Sequence, residues 1–237
     1  MLDWLRARIR QGTRTSPFPL GEPEFPERFR GRPTVDPAPG APPFDVGACL
    51  FSPEEAGDHP AGLVRFTSDH RMAASARGDL ISATGEVELT RALDVEMRRL
   101  FGRSLRLRSV VAGSCGGCEA ELNAMSNVVF DMARFGVQFV ASPRHADGLV
   151  ITGTVNRNMR DALLTTYEAT PSPRIVIAVG ACAIAGGPFA GSPEIAPPAG
   201  VPIDLYVPGC PPHPLTVLDG LLRLLGRMPG ERTRPNG

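Results

Sequence analysis

Four of the five cysteines in this 237-residue chain have a spacing that could hold a metal or an iron-sulfur cluster. Cys115 and Cys118 form a Cys-x-x-Cys pair, and Cys182 and Cys210 follow as single residues. Cysteine thiolates are ligands for zinc and for iron-sulfur clusters, and a close pair alone can also be a redox dithiol. Structural disulfides are not expected, because a cytoplasmic compartment keeps thiols reduced.

Small residues surround each of these four cysteines. The segments are Ala112-Gly-Ser-Cys-Gly-Gly-Cys118, Val179-Gly-Ala-Cys182 and Val207-Pro-Gly-Cys-Pro-Pro212. Glycine has no Cβ, so both the sulfur atoms and the backbone N–H groups can approach a cluster. Zinc sites usually contain two close cysteine pairs, whereas one pair and two single cysteines fit a cluster better. The residues therefore favour an iron-sulfur cluster on Cys115, Cys118, Cys182 and Cys210.

The elements around these cysteines are those of an α/β domain. From Leu105 onward, short β-rich runs alternate with amphipathic helices, which predicts a largely parallel sheet. Strands are expected at Leu105–Ala112, Val137–Ala141, Leu149–Thr152, Ile175–Val179 and Ile203–Val207, and helices at Glu119–Phe135, Arg157–Ala169 and Pro214–Leu225. The cysteines follow three of these strands, and ligands gather at the carboxyl ends of parallel strands.

The first part of the chain differs in composition from the α/β part. Proline and glycine interrupt residues 12–88 repeatedly, which predicts a loop-rich region with little core of its own. A helix is expected from Val87 to Phe101, where apolar residues recur at spacings of three and four. We therefore expect two domains, residues 1–104 and 105–237.

Charge and hydropathy limit the possible functions and locations. The counts of Lys plus Arg and of Asp plus Glu are both 25, so the basic excess of a nucleic-acid-binding protein is absent. No stretch approaches the roughly 18 to 20 apolar residues of a membrane span, which predicts a cytoplasmic protein. Near the N-terminus, Leu2, Leu5 and Ile9 share a helix face beside Arg6, Arg8 and Arg10, a pattern suited to a membrane surface or a partner.

The chain from about Leu105 to Leu225 resembles the small, electron-transferring subunit of nickel-iron hydrogenases and its homologue in respiratory complex I. The shared stretches include Cys115-Gly-Gly-Cys-Glu-Ala-Glu-Leu122, Asp131-Met-Ala-Arg-Phe-Gly136, Ser142-Pro-Arg-His-Ala-Asp147 and Val201-Pro-Ile-Asp-Leu-Tyr-Val-Pro-Gly-Cys-Pro-Pro212. The complex I homologue has adjacent cysteines at the first ligand position. The Cys-Gly-Gly-Cys-Glu sequence is instead similar to membrane-bound group 4 hydrogenases and formate hydrogenlyase.

This resemblance implies a flavodoxin-like, three-layer α/β domain with a mostly parallel sheet. It implies one proximal 4Fe-4S cluster, carried over onto Cys115, Cys118, Cys182 and Cys210. The implied partners are a hydrogenase-type large subunit, which carries the nickel-iron centre, and other subunits of a membrane complex. The expected location is the cytoplasmic face of the inner membrane, with peripheral attachment through partners or the N-terminal helix.

Residues 1–104 resemble the two-cluster ferredoxin subunit of the same complexes, in segments such as Phe29-Arg-Gly-Arg-Pro33 and Gly47-Ala-Cys-Leu-Phe-Ser-Pro53. That family needs eight cysteines, and this region contains only Cys49. The resemblance therefore implies a degenerate docking region without clusters. Cys49 is expected to be a buried thiol, with a relic ligand as the alternative.

Three further residues have open roles. Glu119 could carry protons near the cluster, meet the large subunit, or simply favour the start of a helix. Arg144 and His145 could face the large subunit, tune the cluster through hydrogen bonds, or be solvated. Two other functions also remain open: a complex I-like quinone oxidoreductase component, and a structural or assembly protein whose four-cysteine site is zinc-bound or empty.

Overall fold

A computed structural model describes residues 3–102, 104–195 and 200–229. Leu2, which the N-terminal helix pattern included, lies outside these residues. Among the described residues, no helix is both long and apolar enough to cross a membrane. The elements of the front region are α1 (Asp3–Gln11), β1 (Pro33–Pro37), β2 (Phe44–Asp45), β3 (Gly57–His59), β4 (Gly62–Phe66), β5 (Ile81–Ser82) and α2 (Val95–Phe101).

The front region forms two small antiparallel sheets, with strand orders β1-β4-β3 and β2-β5. Apolar side chains from these strands and from the loops between them make a separate cluster that includes Val35, Phe44, Val64 and Leu80. The expectation of little core in this region is therefore wrong. Each short segment contributes only one or two residues to this apolar cluster, so no periodic sequence pattern predicts it.

The second region is a five-stranded parallel sheet covered by helices. Its elements are β6 (Leu105–Val111), α3 (Gly117–Ala124), β7 (Val137–Phe139), β8 (Gly148–Thr152), α4 (Arg157–Ala169), β9 (Ile175–Val179), α5 (Ala181–Ala185), β10 (Leu205–Val207) and α6 (Pro214–Leu224). The strand order is β7-β6-β8-β9-β10, and every pairing is parallel. Numbered within the domain, this order is 2-1-3-4-5, that of flavodoxin.

Burial on both faces of the sheet explains its composition. All residues of β8 and β9 are buried, as expected for central parallel strands with apolar sequences. One face packs against α3 and α6, and the other against α4, so alternate residues such as Val150 and Ile151 belong to different apolar clusters. The three-layer, flavodoxin-like fold expected from the sequence is confirmed.

Two helices are shorter than expected. The helix expected from Val87 begins only at Val95, where the Asp94 side chain accepts a hydrogen bond from the N–H of Met97. The helix expected at Glu119–Phe135 runs only from Gly117 to Ala124. A turn and a separate 3-10 helix at Met132–Phe135 replace its second half.

The two regions contact each other along β10 and α6. Ala74 and Tyr206 exchange a pair of backbone hydrogen bonds of 3.0 and 2.9 Å at the outer edge of β10. A Cβ placed on Gly220 of α6 would lie 2.6 Å from the Cβ of Ala73, so the segment preceding Ala74 rests closely on that helix. Arg134 also donates a hydrogen bond to the carbonyl of Phe18. The front region is thus attached at β10, the strand that precedes Cys210, and also at the 3-10 helix that precedes β7.

Candidate functional site

The four cysteines lie at the carboxyl edge of the parallel sheet. Cys115 lies in the loop after β6, and Cys118 lies in the first turn of α3. Cys182 lies in the first turn of α5, directly after β9, and Cys210 follows β10. Cys115 and Cys210 are exposed, Cys182 is half-buried and Cys118 is buried. The fold therefore brings all four to one edge, as the strand assignment predicts.

Three of the four cysteines also line a common cavity. Cys115, Cys182 and Cys210 line a cavity of about 430 Å³. Burial raises the pKa of the Cys118 thiol to about 12, and Glu119 and the other three cysteines contribute to this rise. Burial also raises the pKa of Cys182, with contributions from Cys210 and Cys115. The four thiols are therefore within electrostatic reach of one another.

Glycines make room for two of the sulfur atoms. Gly180 has a φ of 90°, and a Cβ placed on it would lie 2.6 Å from the Sγ of Cys118. A Cβ on Gly187 would lie 2.7 Å from the Sγ of Cys182. These distances are too short for any side chain, so the site is a cradle that only glycine permits. Four soft thiolate donors in such a cradle fit an iron-sulfur cluster.

Among the residues that the structure describes, no three His, Cys, Asp or Glu side chains converge closely enough to hold one metal ion. A tetrahedral zinc site with Zn–S bonds of about 2.3 Å requires sulfur atoms about 3.8 Å apart. A cubane cluster binds its four thiolates on different irons, so its ligands need not meet at one point.

Glu119 connects the cysteine loop to the neighbouring strand. Its carboxylate accepts a hydrogen bond of 2.6 Å from the Ser114 hydroxyl and another from the Thr152 hydroxyl at the end of β8. Burial alone would raise its pKa, but these hydroxyl groups lower it overall. Glu119 thus fixes the loop that carries Cys115, a role that sequence reasoning did not identify because Thr152 is distant in the chain.

Arg144 and His145 are not brought to the cysteines. They form a 3-10 turn that precedes β8, and they line a separate cavity with Arg106 and Asp147. Because β8 has five residues, its amino end, where Arg144 and His145 lie, is about 16 Å from its carboxyl end, where the cysteines lie. The hypothesis that these side chains tune the cluster through hydrogen bonds is therefore wrong.

The front region contributes side chains that the sequence did not indicate as part of the site. Arg28, Phe29, Arg30 and Phe51 line a cavity of about 240 Å³ together with Cys210. Cys49 is 3% exposed, which confirms the expected buried thiol, and burial raises its pKa. The Cys49 sulfur accepts a hydrogen bond of 3.3 Å from the N–H of Phe51, so Cys49 lies next to a residue that lines the Cys210 cavity.

The comparisons with known proteins agree with this geometry. Residues 115–224 match the family model described as NADH ubiquinone oxidoreductase, 20 Kd subunit. The chain is 42% identical over 135 residues to the probable membrane-bound hydrogenase subunit mbhJ of Pyrococcus furiosus, covering 56% of this chain and 81% of that protein.

Two further relatives belong to other complexes. Formate hydrogenlyase subunit 7 of Escherichia coli is 39% identical, and the match covers 57% of this chain and 54% of that protein. An NADH-quinone oxidoreductase subunit of Heliobacterium modesticaldum is 46% identical, and the match covers 47% of this chain and 65% of that protein. The chain therefore belongs to the family of the 20 kDa subunit of NADH ubiquinone oxidoreductase, whose members include hydrogenase subunits.

Proposed function

We propose that the chain is the electron-transfer subunit of a group 4 nickel-iron hydrogenase complex of the formate hydrogenlyase type. It holds one 4Fe-4S cluster on Cys115, Cys118, Cys182 and Cys210. The observation that supports the proposal is that the four cysteines lie at the carboxyl ends of neighbouring strands, where three of them line one cavity and the sulfurs of Cys118 and Cys182 lie against glycines. Membership of a family of oxidoreductase subunits supports it.

The residues of this chain have distinct tasks in the proposed function. A bound cluster supplies one-electron transfer. The four cysteines would hold it through their sulfur atoms, and Gly180 and Gly187 leave space for two of those sulfurs. Glu119 fixes the loop between β6 and α3, and burial around Cys118 limits access of water. The reduction potential depends on this burial and on the charges nearby.

The exposed side of the site is the proposed contact with a hydrogenase-type large subunit. Cys115 and Cys210 are exposed there. Two apolar side chains are also exposed, Val111 at the end of β6 by 47% and Phe189, which lines the cysteine cavity, by 59%. Electrons can cross to the partner only where the cluster approaches the surface, so this edge suits the contact with the catalytic subunit.

We also propose a peripheral location on the cytoplasmic face of the inner membrane, through partners or through α1. This helix has no buried residue, and Trp4 and Ile9 are 70% and 72% exposed. Arginines flank these apolar side chains, as in helices that lie on anionic membrane surfaces. If the purified protein floats with anionic vesicles and Ile9→Glu reduces this flotation, attachment through α1 is supported. If wild type and Ile9→Glu float equally, α1 is not the anchor and attachment occurs through partner subunits.

Metal analysis tests the proposed cluster. After anaerobic purification, we expect about four iron atoms and an equal amount of acid-labile sulfide per chain, as one cubane cluster requires. Cys182→Ser should lose most of this iron, whereas the matched control Cys49→Ser should retain it. Zinc or no metal in the wild-type protein would refute the proposal and favour a structural or assembly role.

A complex I-like quinone oxidoreductase is the second candidate function. The 46% identity to an NADH-quinone oxidoreductase component favours it. The sequence of the large subunit encoded with this chain separates the two candidates. Two Cys-x-x-Cys pairs in that subunit would indicate a nickel-iron centre, and their absence would exclude hydrogen chemistry.

A further inference from the structure

The segment from Cys49 to Glu55 in the front region borders the cluster site. Phe51 of this segment and Cys210 line the same cavity. Gly47, two residues before this segment, packs against the helix that carries Cys182, because a Cβ on Gly47 would lie 2.8 Å from the Cγ2 of Ile184. The segment therefore contacts the surroundings of two of the four cysteines.

The carboxylate of Glu55 is held in place by three donors from this segment. The N–H of Leu50 donates to Oε1 at 3.0 Å, and the N–H of Ser52 donates to Oε2 at 3.1 Å. The thiol of Cys49 donates to Oε2 at 3.4 Å. Glu55 is half-buried, so the position of its negative charge is fixed by the fold.

This carboxylate lies close to the cavity that the fourth cysteine of the site lines. The N–H of Phe51, which lines that cavity together with Cys210, donates to the Cys49 sulfur at 3.3 Å, and the Cys49 thiol donates to Glu55. The charged groups that line this cavity are Arg28, Arg30 and Glu121. The neighbouring Glu54 is exposed, and the charge that acts on it is that of Arg30. Of the two adjacent carboxylates, only Glu55 is held by the backbone N–H groups of the segment that borders Cys210.

We propose that Glu55 lowers the reduction potential of the cluster, so that the front region tunes this cluster electrostatically. The inference rests on the proposed function, because it requires a cluster on Cys210. Reduction adds one negative charge to the cluster, and a carboxylate in a partly buried position opposes that charge. The carboxylate opposes a negative charge on the Cys210 sulfur for the same reason.

A purely structural role is the alternative explanation for Glu55. Its bond to the Ser52 N–H is half of a capping box for the 3-10 turn Pro53–Glu55. Such a role requires the hydrogen bonds but predicts no particular direction of change in the reduction potential. The sign of the shift in a charge-neutral variant therefore separates the two explanations.

The test is a redox titration of the anaerobically purified protein, followed by electron paramagnetic resonance, on wild type, Glu55→Gln, Glu55→Asp and Glu54→Gln. We expect a higher midpoint potential in Glu55→Gln, because the negative charge is removed. Glu55→Asp should stay near the wild-type value, since it keeps the charge. Glu54→Gln should not shift the potential, although it removes the same charge one residue away.

The outcomes distinguish this inference from the proposed function. Absence of a cluster in the wild-type protein would refute the proposed function, and the inference with it. A wild-type cluster with an unchanged or lower potential in Glu55→Gln would refute only the inference. Loss of the cluster in Glu55→Gln, with retention in Glu55→Asp, would make Glu55 a structural anchor and also overturn the inference.

Discussion

The glycine cradle gives a prediction with a matched control, the pair Gly180→Ala and Gly116→Ala. Both glycines have a φ of 90°, which is unfavourable for alanine. A Cβ on Gly180 would lie 2.6 Å from the sulfur of Cys118, whereas a Cβ on Gly116 would meet nothing within 4 Å. Both substitutions therefore strain the backbone, and only Gly180→Ala also collides with a proposed ligand.

The expected magnitudes follow from these two contributions. Backbone strain alone should cost Gly116→Ala about 1 to 2 kcal/mol. Gly180 has a ψ of 156°, a conformation almost restricted to glycine. Strain there costs roughly 1 to 3 kcal/mol, and overpacking against the Cys118 sulfur adds roughly 1 to 3 kcal/mol more. The Gly180→Ala protein should therefore be destabilised by roughly 2 to 6 kcal/mol.

The assay combines thermal unfolding with iron analysis after anaerobic purification. In a protein of this size, a loss of about 1 kcal/mol lowers the melting temperature by about 2 to 4 °C. Gly116→Ala should thus melt about 2 to 8 °C lower than wild type and keep its iron. Gly180→Ala should melt lower still and lose iron, because Cys118 must move away from the cradle.

The decisive comparison is between the two variants, since both carry strained backbones. Equal iron content and equal melting temperature in Gly180→Ala and Gly116→Ala would show that the Cys118 sulfur is free to shift. In that case the close approach of Gly180 would have no role in positioning a ligand, and the cradle argument would be wrong.

Three further predictions concern polar groups of the α/β region. Asp219→Ala should cost about 3 to 5 kcal/mol, because it removes a fully buried carboxylate that accepts a 2.8 Å hydrogen bond from Arg223; the melting temperature of Asp219→Asn should fall less. Burial lowers the pKa of His213 from 6.5 to about 4, so the unfolded chain binds more protons between these values and stability should fall as the pH falls through this range. His213→Asn, which keeps a capping side chain, should show a smaller drop in melting temperature between about pH 7 and pH 5, and an equal drop would contradict this assignment. Glu119→Gln should cost about 1 to 3 kcal/mol by weakening the bond from Thr152, yet retain its iron, and iron loss equal to that of Cys182→Ser would contradict its role as a loop anchor.

Much of the α/β domain could be predicted because its local patterns agree with the tertiary structure. The strand Ile175–Val179 and the helix Arg157–Ala169 have the predicted bounds. The strand is a continuous apolar run buried on both faces, and Asn156 caps the helix by accepting a hydrogen bond from the N–H of Met159. Glycine-framed cysteines after predicted strands were therefore enough to place the candidate site.

The two shortened helices show where local patterns fail. The backbone N–H groups of Glu88 and Thr90 donate to the carbonyls of Asp79 and Ala73. This stretch therefore pairs with other segments of the front region and does not form a helix. In the other helix, the Asn127 side chain accepts hydrogen bonds from the N–H groups two and three residues later and closes a turn. Neither competing interaction is visible in apolar spacing.

The part of the site contributed by the front region could not be predicted for a similar reason. Glu55 and Cys210 are separated by 155 positions, and only the folded chain brings the segment that holds Glu55 to the cavity that Cys210 lines. The sequence shows Cys49 alone in this region, which argues against a second set of cluster ligands there. It contains no signal that the surrounding loop lies against the site.

The paired backbone of Ala74 and Tyr206 covers part of an edge strand. β10 is the last strand of the parallel sheet, and a strand in that position exposes N–H and C=O groups that can pair with another chain. The front region occupies this position through the two hydrogen bonds at Tyr206. A fragment that begins at Leu105 would leave the outer edge of β10 unpaired and should aggregate through edge-to-edge pairing. By covering this edge, the front region should also limit self-association of the α/β region.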